Sequence, residues 1–157
     1  MIESYEASPN SPYRDESFFP IAYLYRHCLE LKLKEITWIG VALNVSSPKE
    51  VEEAMDNHNL AKLWTSAKKP IVDCWPDGDK APLKATEAVI NEFHQADRTG
   101  QVFRYPTDKD GSLHRHSELP QHISITNLRK TMDAAFTFLD ACHDGLSAAR
   151  DTMSSSM

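Results

Sequence analysis

The stretch Tyr23-Leu24-Tyr25-Arg26-His27-Cys28-Leu29-Glu30-Leu31-Lys32-Leu33-Lys34 decides the fold. It holds no Gly or Pro, and its Leu, Lys, Glu and Arg residues are strong helix formers. Extended in both directions, it predicts a first helix from about Phe18 to Leu43, with Ser17 as its cap and Pro20 in its first turn. On a helical wheel Leu24, Tyr25, Cys28, Leu29, Leu31, Leu33 and Ile36 cover more than half of the circumference. A helix so apolar is expected to be central and to touch several neighbours.

Four polar side chains face away from that apolar bulk. Arg26, Glu30, Lys34 and His27 share about a quarter of the wheel, and Arg26–Glu30 and Glu30–Lys34 are each spaced to bond along the helix. One reading is a solvated edge, worth about 0.2–0.5 kcal/mol per pair. The other is a satisfied polar network facing a groove or a neighbouring helix. Two residues favour the network. Tyr23 lies on the same face, so that face is not simply hydrophilic. Asp97 falls on the apolar stripe of a later helix, where a carboxylate needs a partner; Arg26, Arg98 and Arg104 are the candidates.

Downstream, Ser47, Pro48 and Glu50 form a capping-box pattern and predict a short helix from Pro48 to Met55. Asn57-His58-Asn59 turns the chain, and Leu60, Leu63 and Trp64 share the next helical face. His58 reads either as a cap or packing residue or as a site residue. Pro76-Asp77-Gly78-Asp79-Lys80 is a turn. A third long helix is expected from Pro82 to about Arg98, with Leu83, Thr86, Ile90, Phe93 and Asp97 on one face and Gly100 closing it. His94 flanks that face. Gln101 to His122 reads as a long extended loop, of a length that often carries function. The last helix, about Thr126 to Ala149, has the cleanest stripe: Leu128, Met132, Ala135, Leu139, Cys142 and Leu146. Residues 1–17 read as a flexible arm and 151–157 as a frayed tail, leaving 18–150 as one all-α domain, an antiparallel bundle of about four helices.

Composition sets further bounds. A chain of 157 residues suits one domain, and 41% hydrophobic with 25% charged residues is a globular balance. The net charge of −6 disfavours a surface built for bulk nucleic-acid binding, although Arg98, Arg104, Lys109 and Arg115 can make a local basic patch. Cys28, Cys74 and Cys142 are odd in number and widely spaced, which points to reduced thiols and a cytoplasmic protein; Cys28 and Cys142 are expected to be buried. No apolar run reaches membrane-spanning length, and the start lacks the features of a secretory signal.

Residues 23–34 resemble the first helix of prokaryotic HEPN-like proteins, with an Arg-His pair, a Glu and a Lys on a Leu-rich helix. His58, Leu60, Leu63 and Trp64 are similar to that family's second-helix motif. Asp97 and Gln101-Val-Phe-Arg-Tyr-Pro106 resemble the aspartate and Phe-Arg-Tyr-Pro block that follow its third helix. The resemblance spans roughly Phe18 to Leu139. It implies an all-helical domain, a homodimer, and binding or cleavage of RNA or nucleotides in a defence or toxin–antitoxin setting, with an antitoxin or defence-system partner. The ribonucleases of that family carry an Arg, four to six residues and then a His, using an acid–base pair and an arginine on the charged phosphorane. Arg115 and His122 have that spacing, but Pro120 interrupts it and the pair precedes the last helix. Arg26 and His27 are adjacent, which is a different spacing.

The candidate catalytic residues are therefore Arg26, His27 and Arg104, for a metal-independent reaction without a cofactor. Glu30, Lys34, His58, Asp97, Arg98 and Tyr105 are candidate binding residues. Phe103, Arg104 and Tyr105 can clamp a base or phosphate, or serve as a strap across the bundle. His114, His116 and His122 offer a weak metal set, and no nucleotide-loop, hydrolase or zinc-protease motif occurs. The alternative is a non-catalytic interaction module whose polar stripe is structural.

Overall fold

A computed structural model describes residues 13–105 and 124–156, with side chains described from Phe18 onward. Among the described residues there are five helices and no strands: α1 (Tyr13–Ala42), α2 (Pro48–Met55), α3 (Leu60–Cys74), α4 (Lys80–Ala96) and α5 (Ile125–Ser155). No helix among these residues is long and apolar enough to cross a membrane.

Local signals explain most boundaries. The Ser47 side chain accepts from the Glu50 backbone and the Glu50 side chain accepts from the Ser47 N–H, so the capping box that opens α2 is formed. The Asn59 side chain caps α3, Asp79 caps α4 and Ser124 caps α5. Asn44, at φ 59°, takes the left-handed conformation just past α1, where the Val45 and Ser46 amides both return to the Gly40 carbonyl.

Three helices differ from expectation. α1 starts at Tyr13, so Ser17 is internal and not a cap, and Pro20 lies well inside the helix. Nothing between Tyr13 and Phe19 breaks a helix, and Pro20 is exposed, so its ring faces water where the missing N–H costs least. α5 runs to Ser155 instead of ending near Ala149. No Gly or Pro stops it, and Thr152, Ser154 and Ser155 return their hydroxyls to carbonyls one turn back. α4 covers Lys80–Ala96 instead of Pro82–Arg98: Asp79 supplies an earlier cap, and Asp97 leaves the helix.

α1 packs against α2, α3 and α5, while α4 packs against α3 and α5. The core joins Leu29, Leu33 and Ile36 of α1 to Leu60 and Leu63 of α3, Ile90 of α4, and Met132, Leu139 and Leu146 of α5, all fully buried. The expected stripe of α5 is this inner face, with Leu128 partly buried at its start. Truncating one of these leucines to alanine costs about 2–5 kcal/mol.

Candidate functional site

The helical period that places Leu29, Leu33 and Ile36 in the core also turns Arg26, Glu30 and Thr37 inward. Arg26 is 3% exposed and Glu30 4%. Thr37 satisfies its hydroxyl within the helix, on the Leu33 carbonyl at 2.8 Å. The charged pair needs other elements.

Each guanidinium nitrogen of Arg26 bonds to the chain itself. Nη1 donates to Glu30 Oε2 at 3.2 Å, Nη2 to the His58 carbonyl at 2.6 Å and Nε to the Asp97 carbonyl at 3.2 Å. Arg26 thereby ties α1 to the α2–α3 turn and to the end of α4. The Asp97 carboxylate is fully buried and works from both sides. Its Oδ1 accepts from the Gly100 N–H at 2.7 Å and the Gln101 N–H at 3.0 Å. Its Oδ2 makes no hydrogen bond but lies 3.5 Å from Arg26 Nε, close enough for an ion pair. Arg26 is thus the partner that Asp97 requires; Arg98 and Arg104 are both exposed.

Glu30 Oε1 accepts from Lys34 Nζ at 3.0 Å and lies 2.8 Å from His58 Nδ1. Lys34 also donates to the Met55 carbonyl at 2.8 Å. Burial by itself would raise the Glu30 pKa, but the hydrogen bonds and charges of Lys34 and His58 outweigh it and bring it below the usual value. Two cations and two carboxylates thus balance, which is what allows them to be buried together.

The four-residue stripe therefore divides. Arg26, Glu30 and Lys34 face inward, whereas His27 is exposed. His58 reaches the network from a side chain that is 67% exposed, and it also contributes its backbone carbonyl. His27 stacks on Tyr23, with ring centres 5.9 Å apart and planes 5° apart. Arg104 lies over the Tyr23 ring at 5.9 Å and the Tyr105 ring at 5.2 Å. Phe103 points the other way and is buried against Phe18 and Phe93. The Phe-Arg-Tyr segment is thus a strap whose Phe is anchored and whose Arg and Tyr remain outside.

Two participants were not legible as such. Gly100 entered only as a helix terminator, although it packs against Arg26; the Asp-x-x-Gly spacing of Asp97 and Gly100 is the local signal. His94 is partly buried, with Nδ1 unbonded. Burial, then the nearby charges of Arg98 and Arg26, lower its pKa. Cys28 is expected inside but is exposed, on the outer side of α1 in a surface groove shared with Phe136 of α5; Cys142 is buried, and burial raises its thiol to about 11. Arg115, His122 and the three-histidine set lie outside the described residues. Among the described residues no cluster of His, Cys, Asp and Glu can hold a metal ion.

No protein-family model, curated protein or solved structure matches the chain.

Proposed function

We propose that this chain is a non-catalytic helical interaction module. In this reading Arg26, Glu30, Lys34 and Asp97 hold an antiparallel bundle of four long helices together, and the outer face of α1 meets a partner. One observation carries it: all three guanidinium nitrogens of Arg26 are engaged by the chain's own groups, in a side chain that is 3% exposed. An arginine that steadies a phosphorane must offer donors to the substrate; three of the five N–H groups of Arg26 are taken by the chain, and its burial keeps the other two from a ligand. The test is incubation of the purified protein with tRNA and total RNA beside His27→Ala and Arg104→Ala, both at exposed positions. No cleavage by the wild type is expected. Cleavage that a folded variant loses would overturn the reading.

A second reading keeps the HEPN-like resemblance and its RNA or nucleotide ligand. It draws on the exposed Arg104, Tyr105 and His27 and the partly buried Tyr23, whose rings and guanidinium offer stacking surfaces of the kind that hold single-stranded bases. Fluorescence anisotropy with a labelled single-stranded RNA distinguishes it: binding at low salt that weakens in Arg104→Ala supports it, and no binding removes it.

A further inference from the structure

α1 carries apolar side chains on both sides: Leu29, Leu33 and Ile36 lie inside with the charged Arg26 and Glu30, and further large apolar residues lie outside. Leu24 is 52% exposed, Leu31 47% and Trp38 63%, with Cys28 also exposed between the leucines. These residues recur at the four-and-three spacing of a helix-pairing seam. Ile21, Tyr25 and Phe136 line the apolar groove beside it. Large apolar side chains in one exposed row mark an interaction surface.

The row is symmetric in its chemistry. Leu24 and Trp38 stand seven residues either side of Leu31, and His27 and Glu35 stand four residues either side. All five are exposed and fall within about 80° of one another on the helix. Two copies related by a twofold axis at Leu31 would bring Leu24 level with Trp38 of the second copy. They would also bring His27 level with Glu35 of the second copy, at both ends. A parallel pairing would instead set Glu35 beside Glu35, like charge against like. Lys32 of the same helix pairs with Glu35 at 3.2 Å and softens that repulsion, so the strip is complementary to itself in the antiparallel orientation and less so in the parallel one.

From this palindromic row we infer that the partner of the outer α1 face is a second copy of the same chain, docked antiparallel about Leu31. The inference rests on the reading of the chain as an interaction module and names its partner. The seam runs about 21 Å at 1.5 Å per residue. A single helix pair of that length falls short of the roughly 800 Å² per partner of a standard interface, so the dimer is expected to be concentration-dependent.

Sedimentation velocity from a few to several hundred micromolar, on the full chain, reads the association. The wild type is expected to pass from monomer to dimer. Leu31→Glu, at an exposed position, should remain monomeric with an unchanged melting curve. Register is read by oxidative cross-linking in a Cys28→Ser background. Leu31→Cys should link to itself, and Leu24→Cys should link to Trp38→Cys in a mixture but not to itself. A wild type that stays monomeric at every concentration overturns the inference, whether another protein or another segment of this chain covers the strip. So does a dimer that Leu31→Glu leaves intact. A monomer that melts cooperatively and leaves RNA uncut would remove the self-partner alone, whereas RNA cleavage would remove the module reading itself.

Discussion

Gly100 lies flat against the guanidinium of Arg26. A Cβ on Gly100 would stand 2.9 Å from Nη1 and 3.2 Å from Cζ, and the backbone there has φ 78°, in the left-handed region. The glycine both permits the turn that Asp97 organises and leaves room for the buried cation.

Gly100→Ala therefore meets two obstacles, strain at positive φ and contact with a side chain held at three nitrogens. It is expected to lower stability by about 1–3 kcal/mol, read from the midpoint of urea denaturation at constant slope. An unchanged midpoint would mean that the guanidinium moves freely.

Arg26→Ala is expected to cost more, about 3–5 kcal/mol, because it leaves the buried Asp97 carboxylate without its cation and Glu30 without one of its partners. Arg26→Lys should recover little, since an ammonium cannot reach Glu30 and the two carbonyls with a planar fork. Thermal melts of both variants read this. A lysine variant as stable as the wild type would show that charge alone suffices.

Arg104→Ala should change stability by no more than about 0.5 kcal/mol. Its side chain is exposed and its contacts are the rings of the partly buried Tyr23 and the exposed Tyr105. A large loss in the same melts would show that the Phe-Arg-Tyr strap is held by Arg104 and not by Phe103.

Acid should destabilise the protein in two windows. The Glu30 pKa is lowered from its reference of 4.5. Its stabilisation is therefore present above that unfolded value and lost as pH falls through the lower folded one. The His94 pKa is lowered from its reference of 6.5. The unfolded state then binds the proton first, so this contribution is full above 6.5 and declines below it as pH falls towards the folded value. Melting temperature followed from pH 8 to about pH 2 should decline in both windows. His94→Gln should flatten the upper one and leave the lower one in place; an unaltered upper slope would assign it to another group.

Local chemistry made much of the chain legible. Ser47, Pro48 and Glu50 place the start of α2, and the single narrow stripe of α5 places Met132, Leu139 and Leu146 in the core, because caps and amphipathic faces are properties of a few neighbouring residues. The ends of α1 and α5 were harder to read, since a polar helix that keeps its bonds in water looks much like an arm or a tail. The all-helical class and the list of polar residues on α1 followed from sequence by itself. Which side of α1 lies inside did not: Leu occurs all around that helix, and an Arg–Glu pair one turn apart bonds equally well in solvent or in a core. The Asp97 carboxylate, the carbonyls of His58 and Met55 and the bare backbone of Gly100 decided it. They lie between 21 and 74 residues from the groups they contact, and only folding brings them close enough to replace the water that Arg26, Glu30 and Lys34 give up.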